Sequence, residues 1–97
     1  MYTVEIDKSI FKQDFKKISK NDQQQIIKAI RKKLTTHPEL YGKPLKFLLK
    51  DYWKLKVGPC RVIYEIFESE ARVRVILVGF RRNAEAYLNA AKRLGLL

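Results

Sequence analysis

The stretch Trp53–Tyr64, with the sequence WKLKVGPCRVIY, decides the fold. Apolar and polar side chains alternate on both sides of Gly58-Pro59, which is typical of two strands joined by a two-residue turn. With those two residues as the whole loop, the strand partners are Val57 with Cys60, Lys56 with Arg61, Leu55 with Val62 and Trp53 with Tyr64. This register predicts a hairpin with one apolar face and one basic face.

Three strand-like runs follow one another in this half of the chain: Leu45–Val57, Arg61–Phe67 and Val73–Phe80. The polar link around Glu68-Ser69-Glu70 is short, so the last two runs should also be antiparallel. The same counting pairs Glu65 with Arg74, Tyr64 with Val75 and Val62 with Leu77. One predicted face is the core and carries Trp53, Leu55, Val57, Val62, Tyr64, Ile66, Val73, Val75 and Leu77. The other face carries Lys54, Lys56, Arg61, Glu65, Arg72 and Arg74, and Ile63, Phe67, Ile76 and Val78 give it a concave, partly apolar floor.

The flanking segments predict one strand and three helices. Tyr2, Val4 and Ile6 alternate with polar residues, which indicates a first strand. A helix capped by Asp7 or Ser9 extends to about Ser19, and a second helix capped by Ser19 or Asn21 ends before His37-Pro38. A final helix covers residues 83–94, and Gly95 ends it. The predicted fold is α+β: an antiparallel sheet of about four strands packed on an N-terminal helical hairpin, with a C-terminal helix, in β-α-α-β-β-β-α order.

Composition limits the kind of partner and the chemistry. The chain has 97 residues, which predicts a single domain over 1–97. Lys and Arg number 21 against 10 acidic residues, and the formal net charge of +11 indicates a polyanionic partner: nucleic acid, an anionic membrane surface or an acidic protein. A hydrophobic content of 46% excludes a disordered basic tail.

Scarce residue types exclude several classes of site. The single Cys60 allows no intramolecular disulfide and fits a reducing compartment, so we expect a cytoplasmic protein. No stretch approaches the roughly 18 apolar residues of a membrane span, and no signal peptide is apparent. His37 is the only histidine, which excludes a two-histidine acid–base mechanism. We expect neither a metal nor a cofactor, so Lys, Arg and Tyr would have to carry any chemistry.

The predicted register gathers cations at one end of the sheet. Lys56 faces Arg61, and directly opposed like charges destabilise a strand pair. Arg81 lies just past the strand that returns toward Gly58-Pro59, so it should join Lys54, Lys56 and Arg61 near the turn. The cluster is either a phosphate site or the ordinary exposed face of a sheet. Tyr87 lies on the apolar side of the final helix, where periodicity favours a core residue.

Several of these residues resemble the RelE group of the RelE/ParE toxin superfamily. The resemblance rests on Trp53–Val57, Gly58–Tyr64, Val78–Arg81 and Tyr87, and the order of the elements agrees with it. Phe80 stands where relatives often have Lys or His, and the histidine and glutamate that some sister groups use are not apparent.

The resemblance implies a toxin of a type II toxin–antitoxin system. Such a toxin enters the A site of the 70S ribosome, cleaves mRNA by metal-independent attack of a 2′-hydroxyl, and is silenced by a cognate acidic antitoxin. The implied catalytic residues are Lys54, Lys56, Arg61, Arg81 and Tyr87. We expect further RNA and ribosome contacts from Lys8, Lys12, Lys16, Arg72, Arg74 and Arg82, although the lysine stripe is also typical of a solvated helix face. Two alternatives remain: a ParE-like poison of DNA gyrase, and a basic RNA-binding module without activity.

Overall fold

A computed structural model describes residues 1–97 as a five-stranded sheet with helices on both faces. The strands are β1 Thr3–Ile6, β2 Lys43–Pro44, β3 Trp53–Val57, β4 Cys60–Phe67 and β5 Arg72–Phe80, in the order β1-β5-β4-β3-β2. The α-helices are α1 Lys8–Lys12, α2 Lys20–Ala29, α3 Pro38–Tyr41 and α4 Glu85–Arg93. A π-helical segment, Ile30–Leu34, extends α2, and 3-10 turns cover Asp14–Lys17, Phe47–Leu49, Glu68–Glu70 and Arg82–Ala84. None of the helices combines the length and apolarity that crossing a membrane requires.

The predicted α+β class and the order of the main elements are confirmed, but the sheet is mixed rather than antiparallel. β1 runs parallel to β5, with Val4 opposite Val73. Two-residue periodicity identifies a strand without identifying its partner, and the long helical connection after β1 carries the chain to the opposite edge of the sheet. There Lys43 and Pro44 pair with β3 and form a fifth strand that is too short to predict from periodicity.

The register of the hairpin is confirmed along its whole length, from Val57 and Cys60 to Trp53 and Tyr64. Between β4 and β5 the predicted pairs of Glu65 with Arg74 and Tyr64 with Val75 are also correct.

The predicted pair of Val62 with Leu77 is wrong, because a β-bulge shifts the register between Ile63 and Tyr64. Val62 pairs with Val78, and Leu77 pairs with Ile63. One strand residue is inserted at a bulge, so side chains on either side of it exchange faces. Val78 therefore belongs to the core under the N-terminal helices, and Leu77 lies on the opposite face.

The sheet has a core on each face. The larger core lies against α1 and α2 and includes Ile10, Phe15, Ile26, Ile30, Leu34, Leu55, Val62, Tyr64, Val73, Val75 and Val78. The smaller core lies under α4 and consists of Leu49, Ile63, Ile76, Leu77, Ala86 and Ala90. The partly apolar floor predicted on the basic face is therefore wrong in part, since Ile63 and Ile76 are covered by α4.

One ion pair closes the bulge. The Asp14 side chain is 6% exposed, and its Oδ2 accepts hydrogen bonds from the Val78 N–H at 2.9 Å and from Arg93 Nη1 at 3.0 Å. Arg93 Nη2 donates to Asp14 Oδ1 at 2.8 Å, and Arg93 Nη1 also donates to the Ile76 carbonyl at 3.0 Å. The hydrogen bond to Asp14 raises the pKa of Arg93. The pair therefore satisfies two backbone groups of β5 beyond Val75, where the pairing with β1 ends, and it joins the Asp14–Lys17 turn to α4.

The predicted first helix is two separate segments. Asp7 caps α1, because its Oδ1 accepts a hydrogen bond from the Ser9 N–H at 3.0 Å. Gln13 leaves the helical region with φ −122°, and a 3-10 turn follows. The predicted stripe of Lys8, Lys12 and Lys16 is therefore interrupted before Lys16, although all three side chains are exposed. Of the two predicted caps of α2, Ser19 is the one observed, and its hydroxyl accepts from the Asp22 N–H at 3.1 Å.

Gly42 makes room for a buried tyrosine. The Tyr64 hydroxyl donates to the Pro38 carbonyl at 2.6 Å, and burial raises the pKa of this phenol. A Cβ atom on Gly42 would overlap the Tyr64 hydroxyl and lie 3.0 Å from the Lys54 carbonyl oxygen. We expect Gly42→Ala to lower the free energy of unfolding by about 2 kcal/mol, measured by urea denaturation. Removing the hydroxyl as well, in the double variant Gly42→Ala/Tyr64→Phe, should recover part of this loss. A Gly42→Ala variant as stable as the wild type would contradict the close contact between Gly42 and the Tyr64 hydroxyl.

Candidate active site

The turn between β3 and β4 fixes one end of the candidate site. Gly58 has φ 56°, in the left-handed region that favours glycine. The Arg81 N–H donates to the Pro59 carbonyl at 3.0 Å, which holds the chain beside the turn as it leaves β5. Arg61 lies opposite Lys56 on β3 and opposite Gly79 on β5. The register therefore brings Lys56, Arg61 and the backbone of Arg81 to the same end of the sheet.

The cations of β3 and β4 lie on the α4 face of the sheet. Leu55 and Val62 belong to the core under the N-terminal helices, so Lys54, Lys56 and Arg61 point to the opposite side. Ile63, the strand partner of Lys54, is part of the core under α4. The predicted basic face is thus confirmed for these three residues.

The cations near the turn have no acidic partner. We call Lys54, Lys56, Arg61 and Arg81 the basic cluster. Every ion pair in the protein involves Arg72, Arg74 or Arg93, and none involves a member of the cluster. Lys56 and Arg81 are exposed, and Lys54 is half-buried. The basic cluster is therefore an uncompensated positive surface, the kind of site that attracts phosphate groups.

Arg61 is the buried member of the cluster, with 7% of its surface exposed. Its Nη1 donates to the Gly58 carbonyl at 3.2 Å and to the Cys60 carbonyl at 2.9 Å. On the neighbouring strand, a Cβ on Gly79 would lie 3.0 Å from the Ala86 Cα, so α4 begins directly against this part of the sheet. The turn therefore holds the guanidinium in a fixed position before any ligand arrives.

Tyr87 faces both the core and the basic cluster. The Lys54 Nζ lies 5.6 Å from the centroid of the Tyr87 ring, within the range of a cation–π interaction. The side chain is half-buried and packs against the core under α4. The core location predicted from periodicity and the site location implied by the resemblance are therefore both compatible with the geometry.

The residues predicted to contact the ribosome divide into two groups. Arg72 forms ion pairs with Glu5 at 3.1 Å and Glu70 at 3.3 Å, and its guanidinium carbon lies 4.0 Å from the Phe67 ring centroid. Arg74 contacts Asp7 at 3.3 Å and Glu65 at 4.0 Å. These two charges are compensated within the protein, at the end of β5 remote from Arg81. Lys8, Lys12, Lys16 and Arg82 are exposed and have no acidic partner.

Sequence reasoning missed Lys43, because nothing in the two residues Lys43-Pro44 predicts a strand. It lies directly opposite Lys54 across β2 and β3 and extends the positive surface to the edge of the sheet. Cys60 is buried, and burial raises the pKa of its thiol, which makes it a poor nucleophile. No three His, Cys, Asp or Glu side chains lie close enough together to hold a metal ion.

The basic cluster lies outside the cleft that α4 forms with the N-terminal helices. That cleft, of about 570 Å³, is lined by Asp14, Leu77, Val78, Arg93 and neighbouring side chains. None of Lys54, Lys56, Arg61, Arg81 and Tyr87 lines it. Two of its members, Lys56 and Arg81, are exposed side chains, so a substrate bound there would need positioning by further contacts.

Residues 8–85 match the sequence profile of a family described as ParE toxin of type II toxin–antitoxin system. A mutant E. coli RelE toxin in the free state is similar in structure, with 26% identity, a TM-score of 0.70, and 96% of this chain and 97% of that chain covered. The RelBE2 toxin–antitoxin complex of Mycobacterium tuberculosis gives 24% identity and a TM-score of 0.75, over 82% of this chain and 98% of that chain. The E. coli mutant bound to an antitoxin RelB peptide is 23% identical with a TM-score of 0.68, and the match covers 92% of this chain and 93% of that chain. No curated protein sequence gives a significant match.

Proposed function

Since the chain belongs to the RelE/ParE superfamily of type II toxin–antitoxin toxins, we propose that it stops translation by cutting messenger RNA in the A site of the ribosome. The observation that carries this proposal is the basic cluster, four cations at one end of the sheet without a single acidic partner. A protein that only had to fold would gain nothing from facing Lys56 with Arg61.

The basic cluster supplies what metal-free RNA cleavage requires. The 2′-oxygen forms a bond to the adjacent phosphorus, the bond from phosphorus to the 5′-oxygen breaks, and the products are a 2′,3′-cyclic phosphate and a 5′-hydroxyl. Lys56, assisted by Lys54, takes the proton of the 2′-hydroxyl. Arg61 stabilises the negative charge that develops on the phosphorane oxygens, and Arg81 acts on the side of the leaving oxygen, which takes up a proton. Tyr87 orients or stacks the substrate.

The exposure of Lys56 and Arg81 supports dependence on the ribosome. Exposed cations alone orient a flexible RNA poorly, and orientation is a large part of the barrier in such reactions. A ribosome that already holds the message in a fixed path would supply this orientation. Lys8, Lys12, Lys16 and Arg82 are exposed cations that could contact ribosomal RNA. Arg72 and Arg74 form ion pairs with carboxylates of the protein itself, so we expect them to contribute less to RNA binding.

A cognate acidic antitoxin is the proposed inhibitor. Three solved structures similar to this chain are RelBE-type complexes of a toxin with its antitoxin. An acidic polypeptide would be attracted by the formal net charge of +11 and would compete with RNA for the same charges. The cytoplasm, where ribosomes and mRNA are found, is the proposed location.

The test uses purified toxin, programmed ribosomes with a defined codon in the A site, and a labelled message. We expect cleavage at that codon in the presence of chelator, a cyclic phosphate at the new 3′ end, and suppression by the cognate antitoxin. Intact message under these conditions would overturn the proposed nuclease activity. Binding of RNA with no cleavage by the wild type would instead favour a basic RNA-binding module.

A gyrase poison is the second candidate, and the description of the matching family as ParE toxin favours it. Such an inhibitor acts by binding and has no need of the basic cluster. Trapped gyrase–DNA breaks together with intact ribosome-bound message would establish this alternative. Loss of toxicity on replacement of Lys54, Lys56 or Arg81 would count against it.

Tyr87→Phe distinguishes a role of Tyr87 in the core from a role in the candidate active site. The substitution removes the hydroxyl and keeps the ring that packs under α4 and beside Lys54. We expect an unchanged thermal midpoint and a single-turnover cleavage rate lower by about tenfold, the size of effect expected for one positioning hydrogen bond. Tyr52→Phe is the matched control, since Tyr52 is a half-buried neighbour of the same core. A drop in stability with an unchanged rate would make Tyr87 a core residue only.

A further inference from the structure

Phe47 is the most unusual exposed side chain of the protein. It is an aromatic residue with 89% of its surface exposed, and its φ is 57°. A bulky residue in the left-handed region is strained, and strain of this kind persists at functional sites. Leu48, the next residue, is 56% exposed. Neither the fold nor the core under α4 gains from an aromatic ring at this position.

The turn that presents Phe47 is well anchored. We call Lys46–Lys50 the Phe47 turn. The Leu49 N–H donates to the Lys46 carbonyl at 3.2 Å and the Lys50 N–H donates to the Phe47 carbonyl at 3.2 Å. The Leu49 side chain is buried in the core under α4, on the same face of the sheet as the basic cluster. The ring is therefore presented to solvent by a fixed backbone.

The Phe47 turn is basic and continuous with the basic cluster. Lys43, Lys46 and Lys50 are exposed, and none forms an ion pair with a carboxylate. Lys43 lies directly opposite Lys54, so unpaired positive charge continues from the cluster into this segment. An exposed aromatic ring between unpaired lysines is the arrangement that binds single-stranded nucleic acid, where the ring stacks on a base and the cations contact phosphates.

We propose that the Phe47 turn is an RNA-binding site for the message strand beside the scissile phosphate, with Phe47 stacked on a base and Lys43, Lys46 and Lys50 along the backbone. This inference rests on the proposed function and adds a specific site to it. The site recognises a base by its flat face, so it adds affinity and position with little dependence on sequence. The strained φ of Phe47 is then the cost of aiming the ring at the substrate.

The test measures binding of a short single-stranded RNA with 2′-O-methyl groups, which cannot be cleaved, by fluorescence anisotropy. We expect Phe47→Leu to raise the Kd about tenfold, and Phe47→Trp to leave it within about twofold, because only the aromatic variant can stack. Leu48→Ala is the matched control and should bind like the wild type. Equal binding by wild type and Phe47→Leu would overturn the proposal, as would absence of binding by the wild type. If Phe47→Leu left RNA binding unchanged and Leu48→Ala weakened binding of the antitoxin, the segment would be an apolar protein contact instead.

Phe47→Gly removes the ring and relieves the strained φ at the same time. We expect its thermal midpoint to be unchanged or higher while RNA binding falls as in Phe47→Leu, which a structural role could not produce. Cleavage of ribosome-bound message distinguishes the two proposals. Binding that depends on Phe47 without any cleavage by the wild type would overturn the nuclease proposal alone, and cleavage with binding indifferent to Phe47 would overturn this one alone.

Discussion

Arg81→Ala is expected to slow single-turnover cleavage of ribosome-bound mRNA by roughly 10²-fold or more, while binding to the ribosome stays nearly intact. The Arg81 backbone is fixed by its N–H donating to the Pro59 carbonyl at 3.0 Å. Its side chain is exposed and has no carboxylate partner, so its removal leaves no buried group unsatisfied. A donor that meets negative charge only as the leaving oxygen departs contributes to the rate far more than to binding.

Arg31→Ala is the matched control for charge. Arg31 is an exposed arginine in the π-helical extension of α2 and belongs to neither the basic cluster nor the Phe47 turn. Its removal lowers the net charge by the same amount, and we expect the cleavage rate to change by less than about twofold. If Arg81→Ala weakened ribosome binding and cleavage by the same factor, Arg81 would be a binding contact without a role in the transition state.

The basic cluster could be predicted from sequence because one tight turn sets its register. Gly58-Pro59 leaves no freedom in how β3 and β4 pair, so the opposition of Lys56 and Arg61 follows from counting alone. The location of Arg81 could be predicted in the same way, because β5 returns antiparallel to β4 and ends beside the turn. What alternation could not reveal is that α4 covers this face, because an amphipathic helix fits either face of a sheet.

The bulge in β5 could not be predicted for a physical reason. Ile76, Leu77 and Val78 are all apolar, so no polar side chain marks where the alternation slips. The groups that stabilise the slip are distant in sequence, since Asp14 binds the Val78 N–H from 64 residues away. The contacts of Arg74 could be predicted only in part. Its strand partner Glu65 follows from the register of β4 with β5, but its contact with Asp7 depends on the pairing of β1 with β5, which was not predicted.

Asp14→Ala is expected to lower the free energy of unfolding by about 3 kcal/mol, a large loss for a single change outside the apolar core. The carboxylate is 6% exposed and accepts hydrogen bonds from the Val78 N–H and from both Nη atoms of Arg93. Its removal leaves the Val78 N–H without an acceptor and Arg93 without its anion, so two desolvated donors lose their partners together. For a domain of this size the thermal midpoint should fall by about 15 °C, measured by calorimetry or circular dichroism.

Three further variants identify the cause of this loss. Asp14→Asn keeps an oxygen that can accept from Val78 but removes the charge, so its stability should lie between wild type and Asp14→Ala. Glu5→Ala breaks an exposed pair with Arg72 and should cost far less stability than Asp14→Ala. In a double-mutant cycle with Arg93→Ala, we expect a coupling of about 2 kcal/mol. Additive losses would contradict the pair as the link between the bulge and α4, because each residue would then act without the other.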